Sequence, residues 1–421
     1  MRRRPRPNHS RAQPPFSARA PRAHVERGVS DRRRDDAATP LTMPPGGRCG
    51  RIQRAKCLLE IRVHKNASRA PEGYYTYTPD RPVDGLSTDN LAHLVTMGEA
   101  SRGEAKDPMT VIKVIIDTDP GQDDAIAILV ALAERERLEL LGITTVAGNA
   151  PVEVTTANAL RILELAGRTE IRVFPGASRP LLRPLVASQF ASRPDDLEGA
   201  GLPPPSTPPA GRHAVNFLIE TLRSAEDYSI TICAVAPLTN LALVFAQAPE
   251  LAAKIERIVM MGGARDLGNI TPAAEFNFHV DPHAARIVLA IGAPIVMFGL
   301  HATHQAMSTP ERVARIAALN TQAARSVAGM IGRPRPGGRA HFGADGRPLH
   351  DLCTVAYLLW PELFRSRNCY VTVETTSEET MGRSTIDWWG STERKANAEV
   401  IEHIDAEGLF DRMTRSLARL R

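Results

Sequence analysis

Long apolar runs are missing from this 421-residue chain. No stretch of about 18 consecutive apolar residues could cross a bilayer, and no apolar secretory segment precedes a small-residue cleavage site. A cytoplasmic protein with no membrane association is therefore expected. Cysteine is scarce as well. Cys49, Cys57, Cys233, Cys353 and Cys369 are odd in number, scattered and never spaced as Cys-x-x-Cys, which argues against structural zinc and against a disulfide framework. Internal repeats are absent. An even spread of charge is lacking too: the formal net charge is +5, yet residues 1–108 hold 21 Lys+Arg against 12 Asp+Glu, while residues 109–421 hold 31 against 35.

The front segment, with Arg2-Arg3-Arg4 and Arg32-Arg33-Arg34, is rich in Arg, Pro, Ala and Ser and has no sustained hydrophobic period. It reads as a disordered extension, residues 1–108, ahead of one domain over 109–421. Three origins are open: a basic nucleic-acid-binding tail, an organelle transit peptide, or sequence translated upstream of the true start. The third is favoured because Met109 stands directly before the first strand and because acids such as Asp35-Asp36 are unusual in transit peptides. Tyr74, Tyr75 and Tyr77 lie outside the Arg runs, so the interleaving of aromatic and basic residues that suits nucleic acid is missing, and nucleic acid is not expected as a partner.

From residue 109 onward apolar runs alternate with helical patterns. Strands are expected at 111–116, 140–146, 171–174, 230–235, 255–261 and 295–298. Helices are expected at 125–133, 152–166, 213–224, 238–247, 282–290 and 350–359. This βαβ rhythm predicts an α/β fold, a mostly parallel doubly wound sheet flanked by helices. Residues 370–375 and 385–389 read as a small antiparallel excursion. Two stretches break the rhythm, a Pro- and Gly-dense segment at 178–211 that reads as a lid or binding loop, and an irregular run at 320–349.

The densest chemistry follows the first strand, in Asp117-Thr118-Asp119-Pro120-Gly121-Gln122-Asp123-Asp124. Pro120 and Gly121 end the strand, so Asp123 and Asp124 fall where a helix begins. Four carboxylates at one strand-to-helix turn repel one another unless protons or a cation compensate them, and hard oxygen donors suit calcium or magnesium. A capped helix start with solvated aspartates remains the plainer alternative. Other polar motifs also follow strands, namely Gly148-Asn149, Pro237-Leu238-Thr239-Asn240, Met261-Gly262-Gly263, Gly268-Asn269 and Glu275-Phe276-Asn277, while His350-Asp351 stands at the mouth of a buried helix. Their amides and carboxylates suit sugar hydroxyls.

In this order and with these motifs, residues 111–415 resemble the inosine–uridine-preferring nucleoside hydrolases. The resemblance implies hydrolysis of the N-glycosidic bond of purine and pyrimidine ribonucleosides in their salvage, and assembly as a homodimer or tetramer. It implies calcium held by Asp119, Asp124, the backbone carbonyl of Val235 and Asp351. Asp119 would also take a proton from a water made more acidic by the metal. Asp123 and Asn149 would bind the ribose 2′ and 3′ hydroxyls. Asn269, Glu275 and Asn277 would reach the rest of the sugar, and Met261 would touch it. His350 would protonate the departing base, and Asp117 would support the ligands from behind.

The pattern departs from its relatives in three places. Residues 192–197 lack a histidine common there, so that a base-contacting group is either missing or replaced by Arg193; the segment before His350 offers only Phe342 for stacking on a base; and Ala236 stands where glycine is common. Base preference therefore does not carry over. A haloacid-dehalogenase-type phosphotransferase also ends a strand in Asp-x-Asp, but Gly121 stands where it has Thr or Val, and Asp123-Asp124 has no role in it. A calcium- and nucleoside-binding protein without turnover, or a hydrolase of another N-ribosyl compound, are the remaining alternatives.

Overall fold

The computed structural model describes residues 111–186, 197, 199–332 and 346–420, all within one compact unit. The extension 1–108, residues 192–196 with Arg193, and Phe342 lie outside the described residues.

The first half is a regular βαβ series. β1 (Ile112–Thr118) is followed by α1 (Gln122–Ala133), β2 (Leu138–Thr145), α2 (Val152–Leu165) and β3 (Val173–Pro175). After the 178–211 break come α3 (Ala214–Ser224), β4 (Ile230–Ala234), α4 (Thr239–Gln247) and β5 (Ile255–Met261). Short α5 (Phe276–Val280) leads into α6 (Pro282–Leu289) and β6 (Ile295–Phe298). Then follow α7 (Leu300–Thr303), α8 (Pro310–Ala317), α9 (Gln322–Ile331) and α10 (Leu352–Leu359). β7 (Phe364–Val373), β8 (Ser384–Asp387), β9 (Ala398–Ile404) and α11 (Ala406–Leu417) complete the unit.

Among the described residues, nine strands form one sheet in the order β3-β2-β1-β4-β5-β6-β9-β7-β8. β1 to β6 pair in parallel, β9 joins β6 in parallel, and β7 and β8 turn antiparallel. The expected mixed architecture is thus observed. Side chains of β1 alternate between two cores: Val114 and Ile116 pack with α1, α2 and α10, whereas Ile115 packs with α3, α4 and α6. A strand buried on both faces can be apolar throughout, which is why 114–116 read as a continuous run. The strand order reverses between β1 and β4, and such a switch point opens a crevice at the carboxyl ends of the strands.

One expectation is corrected. The irregular run at 320–349 contains α9, whose small residues Ala323, Ala324, Ser326 and Val327 bury against their neighbours. Within the 178–211 break, residues 206–210 are hydrogen-bonded to α2 and β3. Glu164 of α2 accepts from the Ser206 amide, the Ser206 hydroxyl and the Thr207 amide at 2.6–2.8 Å, and the Ala210 amide donates to the Val173 carbonyl at 2.8 Å. Beyond β8 the two tryptophans differ: Trp388 is half-buried between Arg265 and Arg367, but Trp389 is 83% exposed.

Candidate active site

The carboxyl ends of β1 and β4 straddle the switch point, and most of the motifs meet there. Asp117 closes β1 fully buried. Its Oδ1 accepts from the Thr144 hydroxyl at 2.6 Å and from Asn240 Nδ2 at 2.8 Å, and its carbonyl accepts from the Val235 amide at 2.8 Å. Among the described residues its Oδ2 has no hydrogen-bond partner, and burial pushes its pKa up to about 6. Asn240 is a structural staple: besides Asp117 it donates to the Thr145 carbonyl at 3.0 Å and accepts from the Ala177 amide at 2.9 Å. Asn240→Ala would deprive the Thr145 carbonyl and the Ala177 amide of this buried partner and remove one of the two donors to Asp117 Oδ1. It is expected to lower the free energy of unfolding by about 2–4 kcal/mol, measured by urea denaturation; a change below about 1 kcal/mol would contradict the staple.

Asp119 leaves the end of the strand and is held from the neighbouring loop. Its Oδ2 accepts from the Asn149 amide at 2.6 Å, and its carbonyl accepts from Asn149 Nδ2 at 3.2 Å. This close approach requires Gly148, because a Cβ there would lie 2.0 Å from Asp119 Oδ2 and 2.9 Å from Pro237 Cδ.

Asp123, Asp124 and Asp351 form a second group, each offering a carboxylate oxygen within 4.8 Å of the others. Asp124 accepts from the Thr118 hydroxyl at 2.5 Å and from the Gly121 amide at 2.9 Å. Asp351 stands at the N-terminus of α10 without capping it, so its carboxylate is left to face the cluster. Two helix N-termini, those of α1 and α10, therefore converge where the negative charge collects. The helix ends do not cancel the repulsion. Burial, then the charge of Asp123, pushes Asp124 up to about 6. Asp351 is raised well above the ordinary carboxylate range by burial and by Asp123, Asp124 and Asp119. Asp123 is also raised by burial, against hydrogen bonds from the backbones of His350 and Asp351.

This donor set fits a hard divalent cation: all its donors are carboxylate oxygens, forced together at a cost that positive charge would offset. The nearby Cys353 thiol is no competitor, since burial raises its pKa and it donates to the Leu349 carbonyl at 3.2 Å. Of the expected ligands, Asp124 and Asp351 meet in the cluster. Asp119 lies outside that three-residue group, though close enough to raise Asp351, and Asp123, expected on the sugar, is its third member.

A third group lines the side toward β5. Asn277 Nδ2 donates to the carbonyls of Met261 at 3.1 Å and Val235 at 3.4 Å. Glu275 caps α5, accepting from the amides of Asn277, Phe278 and Gly263 at 2.8–3.1 Å, and burial pushes it up to about 7. Asn269 Oδ1 accepts from the Phe276 amide at 2.9 Å. These side chains shape the loop that carries them, a duty their residue types did not announce. His350 is half-buried at the mouth of α10. Its Nδ1 lies 2.8 Å from the Thr303 hydroxyl, and its ring centroid is 5.6 Å from that of His304, whose pKa burial and the neighbouring His350 push down to about 4. Neither Thr303 nor His304 was singled out from the sequence. The signal was available, since both follow strand β6 as polar residues, like the motifs after the other strands.

A family model for inosine-uridine preferring nucleoside hydrolases matches residues 114–411. The chain belongs to this family. This nucleoside hydrolase is 47% identical over 310 residues to an uncharacterised protein of Schizosaccharomyces pombe, covering 73% of this chain and 100% of that one. It is 46% identical over 306 residues to the pyrimidine-specific ribonucleoside hydrolase RihA of Shewanella sp. (strain MR-7), covering 72% and 96%. Its fold is similar to that of the purine-preferring ribonucleoside hydrolase from Gardnerella vaginalis, with a TM-score of 0.67, 29% identity, and 73% and 98% coverage. Family membership makes the chain a ribonucleoside hydrolase. Among the described residues, no helix is long and apolar enough to cross a membrane.

Proposed function

We propose that the chain hydrolyses the N-glycosidic bond of ribonucleosides to ribose and free base, with calcium held by Asp119, Asp124, the Val235 carbonyl and Asp351. The observation that carries this reading is the meeting of Asp123, Asp124 and Asp351 beside His350. The chemistry a bound calcium supplies is positive charge, which makes an attacking water more acidic. Asp119 orients that water and takes its proton as the water oxygen bonds to the anomeric carbon. The electron pair of the C–N bond leaves with the base, whose nitrogen takes a proton from His350 Nε2. Carboxylates beside the ring stabilise the oxocarbenium-like sugar in between.

Asp123 and Asn149 bind the ribose 2′ and 3′ hydroxyls, and Asn269, Glu275, Asn277 and Met261 surround the rest of the sugar. The 46% identity to a pyrimidine-specific relative supports uridine and cytidine as the first substrates to test. The test is ribose release by the full chain from uridine, cytidine, inosine, adenosine and nicotinamide riboside, with calcium and after chelation. Calcium-dependent release is expected. Release unaffected by chelation would remove calcium from the reading, and absence of release from folded, calcium-loaded protein would leave a binding role.

A thermodynamic result should accompany it. Asp124 and Glu275 titrate near 6 and 7 against ordinary values of 3.8 and 4.5. Groups raised in this way contribute stability below the unfolded values and lose it as pH rises through the folded ones. Metal-free protein should therefore melt several degrees lower at pH 8 than at pH 5. Calcium, by offsetting charge in the cluster, should raise Tm more at pH 8 than at pH 5. An equal calcium shift at both pH values would count against the cluster as its site.

A further inference from the structure

The proton donor needs a defined atom, and the fold supplies a means of selecting it. An imidazolium carries two N–H groups, and only one of them can face a departing base. The Thr303 hydroxyl lies 2.8 Å from His350 Nδ1. Thr303 is fully buried in α7, directly after β6, so its hydroxyl is fixed by the sheet rather than by a mobile loop. A β-branched side chain in a helix has few rotamers, which adds to that rigidity. The tilted ring of His304, the next residue, stands 5.6 Å from the His350 ring and limits the space into which it could swing. One short turn thus contacts His350 through both a hydroxyl and a ring.

We propose that Thr303 is a positioning residue that holds His350 Nδ1–H, so that Nε2 is the atom that delivers the proton to the departing base. The inference rests on His350 being the acid. In the protonated ring Nδ1–H donates to the threonine oxygen and Nε2–H faces the substrate. As the C–N bond breaks, its electron pair goes to the base nitrogen, which takes the Nε2 proton. The ring left behind is neutral and keeps its Nδ1 proton on Thr303. The same hydrogen bond persists before and after transfer, so no rearrangement of the ring accompanies the step.

The experiment compares two leaving groups in wild type, His350→Ala, Thr303→Val and Thr303→Ser. Uridine must have its base protonated, whereas 4-nitrophenyl β-D-riboside releases a phenolate that needs no proton. If His350 is the acid, His350→Ala slows uridine hydrolysis and largely spares the nitrophenyl riboside. Thr303→Val should then repeat that selectivity, lowering kcat on uridine by about 10- to 100-fold with KM within about threefold, and Thr303→Ser should restore most of it. Equal slowing of both substrates by His350→Ala overturns the acid assignment and the inference with it. Selectivity in His350→Ala but not in Thr303→Val overturns the role of Thr303 alone. Should Thr303→Val not fold, long-range 1H–15N spectra of histidine-labelled wild type at pH 8 decide the matter, with the His350 signals assigned by their loss in His350→Ala. A neutral ring protonated at Nδ1 supports the inference, and one protonated at Nε2 overturns it.

Discussion

Asp119→Asn is expected to lower kcat for ribose release by about 100- to 10,000-fold at saturating calcium, with the fold intact. Asparagine preserves the shape of the side chain, and its Oδ1 can still accept from the Asn149 amide, now 2.6 Å from Asp119 Oδ2. What it removes is the negative charge and the capacity to take a proton. A residue that merely braced the loop would tolerate the exchange. The same substitution therefore separates a base from a strut: KM should change little while kcat collapses. The check is steady-state kinetics on the preferred nucleoside together with thermal melting of the variant. Retention of more than about a tenth of the activity would assign the proton to another group.

Gly148→Ala is expected to cost about 100-fold or more in kcat without adding or removing any charge. A Cβ at this position would stand 2.0 Å from Asp119 Oδ2 and 2.9 Å from both Asp119 Cγ and Pro237 Cδ. These distances are too short for contact, and the proline ring is rigid, so the Asp119 carboxylate is the part that must move. Displacement of a reacting group by about 1 Å is enough to lose two orders of magnitude in rate. The fold should survive, because Gly148 lies in the loop between β2 and α2 rather than in either element. Near-normal kcat would show that the loop shifts instead, and that the approach of Asn149 to Asp119 is not needed for turnover. A matching loss of Tm and activity would point to general destabilisation.

The parts of the fold that were legible in sequence are those with a strong apolar period. Residues 114–116 and 125–132 are nearly all apolar because both faces of β1 and most of α1 are buried. β9 and α11 left no such trace. β9 carries Glu399, Glu402 and His403 on its wetter positions, and α11 mixes Arg412 and Arg415 with its buried Leu409, Phe410 and Met413. β7 begins at Phe364, earlier than its pattern suggested, because Arg365 to Asn368 are exposed on the sheet's outer part. In each case exposure on one side weakens the period that a reader can detect.

For the site, the sequence by itself determined the inventory: which carboxylates and amides follow which strands, that His350 and Asp351 open a buried helix, and that four acids crowd one turn. That was possible because loops at the carboxyl ends of parallel strands must carry an α/β site, and their polar residues stand out against apolar strands. Only the tertiary structure decided the partnerships. Asp123 and Asp124 meet Asp351 because α10 packs beside α1, and Asp119 meets Asn149 because Gly148 has no side chain to keep them apart. His350 meets Thr303 because β6 sets α7 down beside α10. Such pairings join residues far apart along the chain, and no local pattern encodes them; they follow from strand order and helix packing, which are settled when the two faces of the sheet are buried.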